Sequence, residues 1–193
     1  MKNSSLILAS TSPRRSFYLK QLGVSFRKAV PNVEERPFRG EAPRAFVRRM
    51  ALEKARDVAK RRPRDWVLAA DTVVILDGHI LGKPKDERHA RRMLRRLSGR
   101  AHQVMSGMAL VSQSAGRTLS RVSLTQVRLR EIGPDEIRWY VQTGEPADKA
   151  GAYAIQGKGG IFIKGITGSP SNVAGFPVEV FYELMQKAGL RLS

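Results

Sequence analysis

The sequence contains no cysteine, which excludes disulfide bonds, thiolate metal sites and a cysteine nucleophile. Histidine is scarce, and its three positions are too far apart for a histidine metal cage or a local catalytic triad: His79, His89 and His102. A bound metal would therefore be held mainly by carboxylates and phosphate oxygens, which favours Mg²⁺ or Mn²⁺ over Zn²⁺.

Long apolar runs are also missing. Near the N-terminus only residues 6–9 form an apolar core, which is too short for the hydrophobic part of a signal peptide. No stretch approaches the roughly 20 apolar residues that a membrane-spanning helix needs. Together with the lack of cysteine, this predicts a soluble, cytoplasmic protein without a membrane partner.

Acidic residues are few, with 17 Asp and Glu against 35 Lys and Arg, and the formal net charge is +18. A positive field of this size attracts polyanions, and nucleic acid is the simplest candidate. Aromatic residues make up only 7% of the chain, however, and no aromatic-basic stacking array or zinc-finger spacing is present. Much of the excess of basic over acidic residues lies in one segment, whose arginines are typical of a solvated helix face: Arg88, Arg91, Arg92, Arg95 and Arg96.

Apolar runs of strand length alternate with helical patterns along the chain, without repeats, low-complexity segments or a clear linker. This order predicts an α/β fold of the mixed α+β kind, in a single domain of residues 1–193. The predicted strands cover residues 6–9, 66–76, 80–81, 104–111, 118–129 and 161–166. The predicted helices cover residues 13–22, 43–60, 86–97, 135–143 and 178–188.

The junction after the first predicted strand combines serines with two arginines. Ser12 and Pro13 mark the start of a helix, yet Arg14 and Arg15 fall in its first turn, where the helix dipole disfavours positive charge. A bound anion would relieve this conflict, because amide donors, serine hydroxyls and guanidinium groups together suit a phosphate. The alternative is a serine-capped surface helix that carries two arginines.

Asp71 lies inside the strongest predicted strand, residues 66–76. Because side chains alternate between the faces of a strand, Asp71 shares a face with Val67, Ala69 and Val73, and we expect it to be at least partly buried. A buried carboxylate is costly unless it is paired, hydrogen-bonded or metal-bound. This favours a catalytic carboxylate over a structural one that is satisfied by backbone donors.

The predicted hairpin supplies a neighbour for Asp71. A two-residue turn at Asp77 and Gly78 would place Thr72 opposite Lys83, which brings Lys83 close to Asp71 along the sheet. Strict alternation puts these two side chains on opposite faces, so a twist or bulge would be needed to bring them together.

Lys54 is the one cation centred on the apolar stripe of the helix predicted over residues 43–60. It either snorkels, with a buried stem and its amine at the edge, or binds phosphate beside an anion site. Further along, residues 144–160 are rich in glycine, which lets a backbone approach a ligand closely. Gln156 within this stretch offers both a donor and an acceptor for a nucleobase edge, and the alternative is a plain connecting loop.

Read together, these segments resemble the Maf family of nucleotide pyrophosphatases over nearly the whole chain. The matching residues include Leu8-Ala9-Ser10-Thr11-Ser12-Pro13-Arg14-Arg15, Ala70-Asp71-Thr72-Val73-Val74, Leu81-Gly82-Lys83-Pro84, Gly144-Glu145-Pro146, Ile155-Gln156-Gly157 and Gly168-Ser169. The resemblance implies an architecture shared with inosine-triphosphate pyrophosphatases, in which helices flank an elongated mixed sheet and a cleft separates two lobes.

The resemblance also implies a division of roles. Asp71 is the expected catalytic base, Glu35 and Asp71 are the expected metal ligands, and the metal is a divalent cation, Mg²⁺ or Mn²⁺. The expected phosphate-binding residues are Ser10, Arg14, Arg15, Lys54 and Lys83. The expected specificity residues are Arg14, Thr72 and Gln156.

The Asp71-Thr72 pair and the Ile155-Gln156-Gly157 segment resemble the branch of the family that hydrolyses dTTP and UTP to the monophosphate and pyrophosphate. The resemblance implies a homodimer that removes unwanted nucleotides from the pool, a role called house-cleaning. The sequence departs from the usual family pattern at Glu34, Pro170 and Phe176, where Asp, Tyr and Leu are more common. Two alternatives stay open. One is a pyrophosphatase for 7-methyl-GTP or another modified nucleotide, and the other is a polyanion-binding regulator of cell division without turnover.

Overall fold

The computed structural model describes residues 5–191, which form a mixed sheet with flanking helices. Residues 1–4 and 192–193 of the predicted domain lie outside this range. The strands are β1 (Leu6–Ala9), β2 (Phe26–Ala29), β3 (Trp66–Leu76), β4 (His79–Leu81), β5 (Ala101–Ser112), β6 (Arg117–Leu129) and β7 (Ile163–Thr167). The α-helices are α1 (Pro13–Gln21), α2 (Pro43–Arg61), α3 (Glu87–Leu97), α4 (Pro134–Gln142), α5 (Pro170–Val173) and α6 (Val178–Ala188).

The sheet mixes parallel and antiparallel pairs, which confirms the predicted α/β fold of mixed type. Its strand order is β2-β1-β3-β5-β6-β7, and β4 pairs with β3 off this path. The β1 strand runs parallel to β2 and β3, whereas β4 is antiparallel to β3 and β7 is antiparallel to β6.

The predicted elements are confirmed within a few residues at their ends, and β3 has the predicted bounds. The start of β7 is wrong by two residues, because the glycine-containing stretch Lys158–Phe162 forms a 3-10 helix before the strand begins. The β2 strand and the short α5 helix have no predicted counterpart. The β2 strand carries Arg27 and Lys28 at its centre, so it lacks the apolar run that marks a strand.

The described residues divide into two compact units. The first unit contains residues 5–71, 106–123 and 175–191, and the second contains residues 72–105 and 124–174. The single functional domain of residues 1–193 stays a prediction. No helix in the described range is long and apolar enough to cross a membrane.

In the first unit, β1 and the part of β3 up to Asp71 are buried on both faces. One face, with Leu8 and Leu68, belongs to a cluster that includes Phe181 of α6. The other face belongs to a cluster with residues of α2, such as Ala51 and Ala55. Alternation along β3 places Asp71 on this second face, the same one as Val67 and Ala69.

A glycine allows α2 to approach β5. A Cβ atom added to Gly107 would lie 2.1 Å from the backbone oxygen of Val47 and 2.8 Å from the backbone nitrogen of Arg48. Both neighbours are backbone atoms of α2, so no side-chain rotation can make room. The close contact fixes the distance between the helix that carries Lys54 and the sheet.

We therefore expect Gly107→Ala to lower the free energy of unfolding by about 3 kcal/mol, the upper end of ordinary overpacking costs. The measurement is urea unfolding of the variant beside wild type. Gly165→Ala is the matched control, because Gly165 also lies in a strand and has nothing within 4 Å of its added Cβ. Equal stability of the two variants would contradict the role of the close contact.

In the second unit, α3 is amphipathic as predicted. Its residues Ala90, Met93, Leu94 and Leu97 are buried in a cluster with Tyr140. The opposite face carries exposed arginines: Arg88, Arg92, Arg95 and Arg96. Arg91 is partly buried and pairs with Glu87 at 3.1 Å.

Candidate active site

Asp71 and Lys54 form an ion pair inside the first unit. Lys54 Nζ donates to Asp71 Oδ1 at 2.6 Å and lies 2.7 Å from Glu35 Oε1. The side chains of Lys54 and Asp71 are 5% and 9% exposed, whereas that of Glu35 is 52% exposed. The predicted burial of Asp71 is confirmed, and the snorkelling alternative for Lys54 is wrong because its amine is buried between two carboxylates.

The protonation of Asp71 reflects two opposing influences. Burial raises the pKa of Asp71, and the charge and hydrogen bond of Lys54 act against this rise. The positive charge of Arg15 also favours the ionised carboxylate, while the negative charge of Glu35 disfavours it. Asp71 thus combines limited access to water with a cationic partner, a combination common at catalytic carboxylates.

Ser10 and Arg15 form a second polar group in the same unit. The buried Ser10 hydroxyl accepts from Arg15 Nη1 and from the backbone nitrogen of Ser12, both at 3.1 Å. Arg15 Nε donates to the carbonyl oxygen of Gly175 at 3.2 Å. Burial lowers the pKa of Arg15, and the carboxylates of Asp71 and Glu35 oppose this change. Hydrogen bonds within the protein therefore hold the Ser10 hydroxyl and the Arg15 guanidinium group together.

The α1 helix starts where the sequence predicts, but its N-cap differs in one respect. The helix begins at Pro13 with Ser12 in the N-cap position, but the Ser12 side chain makes no capping hydrogen bond. The first turn contains no acidic residue, and the half-buried Arg14 lies there. The helix terminus consequently keeps its positive character, which suits a phosphate group.

The side chains suit a hard divalent cation that takes most of its ligands from phosphate and water, rather than a metal enclosed by protein ligands. Within residues 5–191 no group of three or more His, Asp or Glu side chains could hold a metal ion. Glu35 and Asp71 nevertheless direct carboxylate oxygens at one cationic group, the Lys54 ammonium. Mg²⁺ commonly uses one or two carboxylates and takes its remaining ligands from phosphates and water, so the pair fits this donor set.

The remaining predicted site residues belong to the second unit. Thr72 is half-buried in β3, while Lys83 and Gln156 are exposed. The hairpin turn is confirmed, since Asp77 and Gly78 both have positive φ, and β3 pairs with β4 from Leu76 and His79 to Val74 and Leu81. The strand β4 ends at Leu81, so Thr72 and Lys83 lie beyond the paired residues, and the proximity of Lys83 to Asp71 stays a prediction.

Hydrogen bonds hold the loops that carry Lys83 and Gln156. The carbonyl oxygen of Gly82, next to Lys83, accepts from the backbone nitrogen of Gly151 at 3.0 Å. The stretch around Gln156 is attached to Tyr140 and Glu145. Sequence patterns do not reveal these attachments.

The hydrogen bond from Arg15 to the carbonyl oxygen of Gly175 is a further contact that the sequence does not reveal. The two residues lie 160 positions apart in the chain, and no periodic pattern connects them.

Known proteins resemble this chain over nearly its full length. The family profile described as Maf-like protein matches residues 5–188. A Myxococcus xanthus protein named dTTP/UTP pyrophosphatase is 49% identical over 187 residues, covering 97% of this chain and 94% of the relative. An Anaeromyxobacter protein of the same name is 52% identical over 188 residues, covering 95% of this chain and 89% of the relative.

Among solved structures, a HAM1 protein from Coxiella burnetii has a TM-score of 0.56 and 17% sequence identity. The likeness covers 97% of this chain and 99% of that chain, and at this identity it concerns the fold alone. The family profile and the two relatives, by contrast, confirm the family resemblance. The chain belongs to the Maf family.

Proposed function

We propose that this protein hydrolyses dTTP and UTP, or modified forms of them, to the nucleoside monophosphate and pyrophosphate. The observation that carries the proposal is the buried Asp71 carboxylate paired with Lys54 in the same unit as the Ser10 and Arg15 group. The names of the relatives that are about half identical over nearly the whole chain support the substrate class.

Charge compensation is the proposed role of the basic residues. A triphosphate carries several negative charges, and phosphoryl chemistry depends largely on positioning and on stabilising those charges. Arginine offers planar, bidentate donors to phosphate oxygens, and lysine offers a compact charge. The proposed phosphate contacts are Ser10, Arg14, Arg15, Lys54 and Lys83.

Asp71 is the proposed general base. Its ionised carboxylate accepts a proton from a water molecule as the water oxygen attacks the α phosphorus. The bond between the α phosphorus and the oxygen that bridges to the β phosphorus then breaks, and pyrophosphate departs with the bonding electron pair. Lys54 favours the ionised form of Asp71, because its ammonium opposes the rise in pKa that burial causes.

A divalent cation, Mg²⁺ or Mn²⁺, is the proposed cofactor, with Glu35 and Asp71 as its protein ligands. When bound, such a cation neutralises phosphate charge and polarises the phosphoryl group. The side chain of Glu35 is 52% exposed, which suits a ligand that meets a metal arriving with the nucleotide.

Selection of the base is assigned to Arg14, Thr72 and Gln156 in this proposal. Gln156 can accept from or donate to a nucleobase edge, and its exposed position on a glycine-rich stretch permits such a contact. We further propose that the protein is cytoplasmic and homodimeric and that it removes unwanted nucleotides from the pool.

The test is a pyrophosphate-release screen over natural and modified nucleoside triphosphates with Mg²⁺ and with Mn²⁺. We expect dTTP and UTP to have the highest kcat/KM and to yield the monophosphate. A clear preference for 7-methyl-GTP that is unchanged by substitution of Gln156 would contradict the proposed preference for dTTP and UTP and the role of Gln156 in selecting the nucleobase. Release of inorganic phosphate in place of pyrophosphate would contradict the proposed cleavage position.

A polyanion-binding role is the second candidate, and the exposed arginines of α3 favour it. No ion pair of Arg88, Arg92, Arg95 or Arg96 exists within residues 5–191. Binding of duplex DNA through these side chains would weaken steeply with salt and would not need Asp71. A titration of labelled DNA at two salt concentrations, with wild type and Asp71→Asn, separates this role from catalysis.

A further inference from the structure

A tyrosine and a glutamate in the second unit are joined to the stretch that carries Gln156. Tyr140, on α4, is fully buried, and its hydroxyl donates to Glu145 Oε1 at 2.8 Å. The same hydroxyl accepts from the backbone nitrogen of Ala154 at 3.2 Å. Glu145 accepts from the backbone nitrogens of Lys158 and Gly159 at 2.9 and 3.0 Å.

These bonds attach the stretch on both sides of Gln156. Ala154 is attached two residues before it, and Lys158 is attached two residues after it, each to one member of the Tyr140–Glu145 pair. A chain segment held at both ends loses most of its conformational freedom before any ligand arrives. The backbone that presents Gln156 is therefore ordered in advance.

Two glycines make this arrangement possible. Gly157 has φ of +114°, and a Cβ atom added there would lie 2.6 Å from Glu145 Oε2. A Cβ added to Gly159 would lie 2.5 Å from the Tyr140 hydroxyl and 2.7 Å from the carbonyl oxygen of Ala154. The glycines thus let the backbone close around the carboxylate, where any side chain would keep it away.

Glu145 has the charge state that this contact requires. Burial alone would raise its pKa, but the backbone donors of Gly159 and Lys158 and the Tyr140 hydroxyl outweigh burial and lower the pKa. The carboxylate is therefore ionised at neutral pH and able to accept from all three donors. Its own backbone is fixed by a turn at Gly144, which has φ of +74°.

We propose that Glu145 is a positioning residue for nucleobase selection, which holds the stretch of residues 154–159 so that Gln156 meets the base edge in one orientation. This rests on the proposed pyrophosphatase function and on the role of Gln156 in it. Preorganised polar contacts discriminate between related substrates more strongly than mobile ones, because a mobile group can adapt to either substrate.

The test compares UTP with CTP, whose bases have opposite donors and acceptors on the pairing edge: uracil has an acceptor oxygen and an N–H donor where cytosine has a donor amino group and an acceptor nitrogen. In Glu145→Gln, the new amide NH₂ faces backbone N–H groups that need an acceptor, so the attachment weakens. We expect the ratio of kcat/KM for UTP over CTP to fall by about tenfold, which corresponds to roughly 1.4 kcal/mol. The change should appear in KM for UTP, with kcat within about twofold of wild type, because the reacting groups are untouched.

Glu136→Gln is the matched control. Glu136 belongs to the same unit and also accepts from a backbone nitrogen, that of Gly133 at 2.9 Å, and from Arg130. It caps the start of α4 and has no bond to residues 154–159 among the described contacts. Its loss should lower the melting temperature without changing the UTP to CTP ratio.

Tyr140→Phe is the second variant, because it removes the bridging hydroxyl and keeps the buried ring. It should change the ratio in the same direction as Glu145→Gln. An unchanged ratio in both variants, or a shift as large in Glu136→Gln, would overturn the positioning role while leaving pyrophosphate release intact. Wild type that is inactive on every nucleotide would instead overturn the proposed function itself, and the two failures are therefore distinguishable.

Discussion

Asp71→Asn is expected to abolish pyrophosphate release, with a loss of about 10²–10⁴-fold in kcat, the usual contribution of a general base. The amide has nearly the size of the carboxylate and can still accept from Lys54 Nζ, so the packing around β3 should survive. It does not take up a proton at neutral pH, however, and the attacking water keeps its own. The measurement is kcat for dTTP or UTP with saturating Mg²⁺.

Stability gives an independent view of the same variant. Burial raises the pKa of Asp71 in the folded protein, so the ionised carboxylate costs stability as pH rises through that folded pKa. An uncharged asparagine avoids this cost, and Lys54 keeps its ion pair with Glu35 at 2.7 Å, so thermal unfolding at neutral pH should show no large loss. The rate and the stability of this variant together separate a chemical defect from a folding defect.

Asp65→Asn is the control for a carboxylate in the same unit that lies outside the site. Asp65 stands just before β3 and accepts from the backbone nitrogen of Ser5 at 3.2 Å. Its replacement should leave kcat unchanged. If Asp71→Asn released pyrophosphate at a rate close to that of Asp65→Asn, Asp71 would have no role as a base.

The two members of the central pair could each be singled out from the sequence because each violates a local rule. Asp71 interrupts a buried strand, and Lys54 interrupts an apolar helix stripe. The two periods, two residues for a strand and about 3.6 for a helix, fix which face each side chain takes. Since α2 packs on one face of β3, both irregular residues lie at the same interface.

Other parts of the site follow from contacts between distant segments, which local patterns do not encode. Glu35 lies in a loop, where no period places its side chain, and only the family resemblance selected it. The approach of Gly107 to Val47 and the bond from Arg15 to Gly175 each join residues far apart in the chain. The attachment of Gln156 involves Glu145, which directly follows the left-handed Gly144.

The β2 strand and the 3-10 segment illustrate the same limit for the fold. The parallel pairing of β2 with β1 supplies the hydrogen bonds of a strand whose centre carries two cations. The segment Lys158–Phe162 is shaped by the attachment of Gly159 to Glu145. In both cases tertiary contacts decide the local structure where composition is ambiguous.

Lys54→Met should have the second largest effect, and it acts on rate, pH dependence and stability together. Methionine keeps the length and the apolar stem but removes the ammonium that pairs with Asp71 at 2.6 Å. Leaving one member of a buried ion pair without its partner typically costs about 3–5 kcal/mol in the free energy of unfolding. Loss of a proposed phosphate contact should also lower kcat/KM.

The pH dependence gives the sharper prediction. Burial raises the pKa of Asp71 and Lys54 opposes this rise, so removal of Lys54 raises the pKa further. A general base acts only when it is ionised, and the acid limb of the kcat profile must therefore move to higher pH. The loss of stability should also grow as pH rises through the folded pKa of Asp71, because a carboxylate that is protonated in the folded state bears no unpaired charge.

Glu35→Gln is the matched control because it removes the other carboxylate that contacts Lys54 while keeping the pair between Lys54 and Asp71. The negative charge of Glu35 raises the pKa of Asp71, so its removal should move the acid limb to lower pH. Opposite shifts in the two variants would identify Asp71 as the group that titrates. Shifts in the same direction, or none in Lys54→Met, would mean that the limb belongs to another group and that Lys54 does not control the charge of Asp71.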